Sequence, residues 1–150
     1  MAAFAITSPA LAQIKVTDAW VRGTVQGQTV TGAYMVIQSD RDTALVGASV
    51  EVAGHTAIHE MRMHENMMMM SPIERLAIPA GKSVNLDEHN YHIMLEDLKR
   101  QLKPGETVTI KLKFADFKGT QEDVSVTAHV RELSAQSDHS EHMHDGMGHE

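Results

Sequence analysis

Two residue types that bind soft metal ions crowd this 150-residue chain, which has 11 Met and 10 His but no Cys. Its most informative five residues are Tyr91-His92-Ile93-Met94-Leu95. On an extended strand alternate side chains share a face, so His92 and Met94 point one way while Tyr91, Ile93 and Leu95 point toward a core. An imidazole beside a thioether is a borderline-plus-soft donor pair. Neutral sulfur favours Cu(I) and gives little to zinc, magnesium or calcium. A second set runs upstream from His59-Glu60-Met61-Arg62-Met63-His64 to the four methionines Met67 to Met70. His59, Met61 and Met63 have one parity and share a face if that segment is extended. Methionine is often only an adaptable core filler. Here, however, six methionines lie between Met61 and Met70 among Glu60, Arg62, His64, Glu65 and Asn66, whereas strand candidates elsewhere use Val, Ile and Leu. Metal binding is the better reading of the cluster; which of its methionines are ligands is left open by donor chemistry alone.

A third concentration closes the chain. His139, His142, Met143, His144, Met147 and His149 fall within the last twelve residues. His-rich tracts bind metals, and imidazoles beside the carboxylates of Asp138, Glu141 and Asp145 suit Cu(II). The absence of Cys removes disulfides, zinc–thiolate sites and iron–sulfur clusters, along with the thiolate that blue-copper electron transfer requires. The formal net charge of −7 argues against a nucleic-acid binder, which needs Lys and Arg to displace counterions. No Ser-His-Asp or paired-carboxylate arrangement stands out. A histidine-brace oxygenase needs an N-terminal His, where the expected mature terminus is Gln13. The chain therefore does not read as an enzyme.

The elements that must position these donors are mostly short strands. Val108, Ile110, Leu112 and Phe114 alternate with polar residues, as do Val124, Val126, Ala128 and Val130, and Lys118-Gly119 between them predicts a hairpin. Further candidates are 14–16, 33–38, 48–52, 57–63, 73–78, 83–86 and 91–95, punctuated by Pro79-Ala80-Gly81 and Pro104-Gly105. Only 95–102 has helical spacing, with Leu95, Leu98 and Leu102 predicting a turn or two. Many short strands predict an all-β sandwich or barrel. From Ser134 onward no Val, Ile, Phe, Trp or Tyr occurs, so residues 134–150 are expected to be a flexible tail. At the other end, residues 1–12 are uncharged and close on Ala10-Leu11-Ala12, the cleavage pattern of an export signal. Residues 13–133 then form the folded domain. No later segment approaches the ~20 apolar residues that span a bilayer, so an exported, periplasmic protein is expected.

The spacing His59, ten residues, Met70, twenty-one residues, His92, one residue, Met94 resembles the H-x10-M-x21-H-x-M pattern of the PCu(A)C-like periplasmic copper chaperones. The resemblance extends to Asp18-Ala19-Trp20-Val21-Arg22, Thr31-Gly32-Ala33-Tyr34 and Ile78-Pro79-Ala80-Gly81, and covers roughly residues 14–130. It implies a cupredoxin-like Greek-key sandwich without the blue-copper cysteine. It also implies Cu(I) ligands at His59, Met70, His92 and Met94. The implied role is delivery of copper to the binuclear centre in subunit II of cytochrome c oxidase, alone or with a thiol-bearing chaperone. Periplasmic copper buffering or resistance is the alternative that the same ligands would serve.

Overall fold

The computed structural model describes residues 13–132. Those residues form ten strands and no helix: β1 (Ile14–Arg22), β2 (Thr31–Ser39), β3 (Thr43–Val50), β4 (Ala53–His64), β5 (Met67–Ile73), β6 (Leu76–Ile78), β7 (Ser83–Leu86), β8 (Tyr91–Leu98), β9 (Thr107–Ala115) and β10 (Gln121–Arg131). The expected export signal at 1–12 and the tail beyond Ser134 lie outside the described residues. The strands pair in the order β5-β4-β8-β7-β2-β1-β10-β9-β3-β6, with β8 also reaching β2. Consecutive strands β3 and β4 stand far apart in that order, yet Thr56 of β4 donates its hydroxyl to the carbonyl of Ala48 in β3. The ladder is thus folded over on itself, and the core fills the space between its halves.

Alternation gives the core its lining. Val108, Ile110, Leu112 and Phe114 of β9 are buried, as are Val126, Ala128 and Val130 of β10, and the two strands pair in register from Gln121↔Ala115 to His129↔Thr107. The predicted hairpin forms at Lys118-Gly119, where the Asp116 carboxylate accepts the amides of Lys118 and Thr120. Ile37, Leu45, Ile93 and Leu95 complete the interior with no exposed surface. Each such side chain contributes roughly 1.5–3 kcal/mol relative to exposure.

Two expectations are corrected. The Leu95–Leu102 spacing is not helical, for β8 continues to Leu98. Asp97, at φ 53, breaks the two-residue alternation there, so Leu98 returns to the core side after Leu95. Leu102 is then buried from a connecting segment. The second is the 73–78 candidate, which splits into β6 at Leu76–Ile78 and the last residue of β5, a strand that begins in the four-methionine run where no apolar–polar alternation can be read. Strand β5 pairs with β4 from Ile58↔Ile73 out to His64↔Met67. Glu65 and Asn66 make the two-residue turn, both with positive φ (49 and 69), as a type I′ hairpin requires and as Asn tolerates.

Candidate metal centre

Strand register assembles the site. His59 of β4 lies directly opposite His92 of β8, and Ala57 opposite Met94, so His59, His92 and Met94 share one face. Their imidazole centroids are 5.9 Å apart. Met70 faces Met61 rather than either histidine across β4 and β5. Its thioether nevertheless leans diagonally over β4 to bring Sδ within 3.0 Å of His92 Nε2. Met70 and Met94 then border one hollow of about 350 Å³ with His92, Met61, Gly32, Tyr34, Arg22 and Glu88. Met70, His92 and Met94 thus line one hollow, and His59 joins them through its ring contact with His92.

The surroundings on β1 and β2 had no role assigned from sequence. Tyr34 stands 6.2 Å from the His92 ring and 4.5 Å from Trp20, centroid to centroid. Trp20 reaches that position because β1 carries a bulge. Thr17 pairs with Val36 but Trp20 with Tyr34, one residue out of step, and Asp18 takes up the extra residue at φ 53. Gly32, opposite Met94, makes room in turn. A Cβ there would lie 2.7 Å from the Tyr34 hydroxyl. The sequence signal for this wall was the shared parity of Gly32 and Tyr34. Arg22 caps it, ion-paired to Glu88 and 5.9 Å from the Tyr34 ring centroid.

Electrostatics favour the neutral form of His92. Burial, with 4% of His92 exposed, pushes its pKa below the usual histidine value; nearby His59 and Arg22 push the same way and Asp87 opposes them. Burial likewise raises the Tyr34 phenol, against the Arg22 cation, so it stays protonated at neutral pH. Among the described residues, only two buried side-chain nitrogens or oxygens lack a hydrogen-bond partner: Nδ1 of His59 and Nδ1 of His92. A buried polar atom left unpaired costs about 1–3 kcal/mol; on His92 the nitrogen beside the Met70 sulfur is the other one, Nε2. No group of three or more His, Asp or Glu among the described residues could hold a metal. Any metal here would have to accept sulfur, which suits Cu(I) and not a hard cation. The six candidate donors from His139 to His149 lie outside the described residues.

Fold and donor set define a class: an all-β domain that gathers imidazole and thioether at one end of a folded sheet. A model of the LpqE-like lipoprotein family matches residues 14–130. The chain belongs to that family, the PCuAC copper-chaperone family that its His/Met spacing resembles. The solution structure of Cu(I)-DR1885 from Deinococcus radiodurans is similar at 34% identity and a TM-score of 0.58, over 75% of this chain and 74% of that one. The copper-bound PCuAC domain from PmoF2 shares the fold at 20% identity and a TM-score of 0.65, over 85% and 99% of the two chains. A protein of Leifsonia xyli subsp. xyli described as a lipoprotein is 28% identical over 104 residues, 69% of this chain. The match spans 63% of that relative's length. Among the described residues no helix is long and apolar enough to cross a membrane.

Proposed function

We propose that this protein is a periplasmic copper chaperone that carries Cu(I) between His59, Met70, His92 and Met94. The observation that carries the reading is the Met70 sulfur 3.0 Å from Nε2 of the buried His92, with His59 directly opposite His92 across β4 and β8. Two imidazoles and two thioethers add no negative charge, which favours Cu(I) over Cu(II) and fills a four-coordinate shell. Such a shell leaves no position for a substrate, as suits a carrier rather than a catalyst. Met70 is half exposed, so a partner's thiolate can replace the thioethers one at a time. The similar DR1885 protein has a solution structure in its Cu(I) form, and the family's description as lipoproteins supports export.

The finer assignments follow the same chemistry. The His/Met tail, with His139, His142, Met143, His144, Met147 and His149, captures Cu(II). The main site delivers Cu(I) to the binuclear centre of cytochrome c oxidase subunit II, alone or with a thiol-bearing chaperone. X-ray absorption of the Cu(I)-loaded protein tests the core of this. Two sulfur and two nitrogen scatterers are expected, falling to one sulfur in Met94→Ala, with affinity reduced at least by the ~10–100-fold that loss of a supporting outer-shell partner costs. An unchanged sulfur count in that variant rejects the ligand set. Truncation after Ser134 should abolish Cu(II) binding and spare Cu(I). In a deletion strain, loss of oxidase activity at low copper means delivery; copper sensitivity with normal oxidase means buffering.

A further inference from the structure

The hairpin beyond the site carries sulfur that the four ligands do not use. Met61 faces Met70 and Met63 faces Met68 across β4 and β5. Met61 donates its amide to the carbonyl of Asn90, 2.8 Å away on the opposite side of β4 from β5. Met61 and Met70 are therefore a non-hydrogen-bonded pair, and by alternation so are Met63 and Met68. In such pairs the opposed Cα atoms approach to about 4.5 Å and the side chains meet. Both pairs lie on the face of His59, while Met67 and Met69 lie on the other face with Glu60, Arg62 and His64. The two rungs stand about 6.8 Å apart along the strands. Met63 is 67% exposed and Met68 49%, so neither is explained as core packing.

From this arrangement we propose that Met63 and Met68, with Met61 as a third sulfur, form a second and weaker Cu(I) site through which copper enters and leaves the inner one. The inference rests on the copper reading above and extends it. Neutral thioethers hold a soft cation without anionic help, and a site without imidazole holds it less tightly than one with two. Met61 also borders the inner hollow, so one sulfur belongs to both stations. Metal passes by replacing one sulfur with the next, and it remains Cu(I) throughout, with no electron or proton transferred. The placement of Met63 and Met68 on the ligand face, rather than simply somewhere on the ribbon, is what makes the path continuous.

The test titrates the full chain, labelled with 13C-methyl methionine, with Ag(I) as a redox-inert stand-in for Cu(I). Single Met→Leu substitutions assign each methyl resonance, and Met143 and Met147 report the tail separately. The first equivalent at the domain is expected to move Met70 and Met94. Further Ag(I) moves Met63, Met68 and Met61, and leaves Met67 and Met69 near their starting positions. In the double variant M63L/M68L the second set of shifts is lost and the first is unchanged. The inference is overturned if Met63 and Met68 stay still at saturating Ag(I). It is equally overturned if Met67 and Met69 move as far as they do, because the ribbon then binds metal without regard to face. Failure of Met70 and Met94 to respond is a different result, which rejects the four-ligand reading and the relay built on it.

Discussion

His92 is a histidine kept neutral by position. Burial, with His59 and Arg22 beside it, lowers its pKa from the ordinary 6.5, so the unfolded chain takes up this proton at a higher pH than the folded one. Within that window the unfolded state binds more protons, and stability falls as pH drops below 6.5 through the lowered folded value. Denaturant midpoints of the metal-free protein should show this loss, and His92→Asn should remove its share of the slope. A slope identical in wild type and variant would refute the role given to burial. The same neutrality serves metal binding, because a neutral imidazole needs no proton displaced. At this scale half the candidate site was legible. His92 and Met94 follow from alternation on a single strand. His59 and Met70 do not, since each reaches the site only through a register between strands distant in sequence. Family spacing supplied them.

At the scale of elements, the site is a strip across neighbouring strands rather than a loop. His59 pairs with His92 and Trp20 with Tyr34, and the ring contact from His92 to Tyr34 joins the two pairs into one row. The row depends on the Asp18 bulge and on Gly32. Gly32→Ala should drive the Tyr34 ring from its place between Trp20 and His92, at the roughly 1–3 kcal/mol that overpacking a filled interior costs. Trp20 is the chain's one tryptophan, so its emission should report the shift; an unchanged spectrum and unchanged stability would mean that Tyr34 tolerates the methyl group. Strands β9 and β10 were legible because each has one wet and one dry face. The bulge was not, because an extra residue in β1 leaves no mark in composition. Nor was β5, where Met repeats without a partner residue type to alternate with.

At the scale of the whole molecule, a connection just beyond β1 ties the chain that follows β8 to the rest of the sheet. Thr24, just after β1, accepts the Leu102 amide on its hydroxyl at 2.8 Å and donates its own amide to the Leu102 carbonyl at 2.9 Å. Both residues are buried. Thr24→Val strands the Leu102 N–H and should cost about 1–3 kcal/mol, whereas Thr24→Ser should restore most of it. Urea midpoints with an unchanged m-value are the measure; equal stability in Val and Ser variants would remove the hydroxyl from the account. The two open ends of the strand order, finally, differ in how they meet a neighbour. One is β6, only three residues long. The other is β5, which runs past the methionines and carries Pro72 opposite His59. By the alternation that makes Met61 and Met70 a non-hydrogen-bonded pair, the Pro72 nitrogen points outward, where a stranger's strand would look for an N–H and find a ring. Pro72 thus removes one outward hydrogen-bond donor from the rim that carries the methionines, at the end where β5 leaves them. A methionine-rich edge is thereby guarded, at that position, against extension by copies of the same chain.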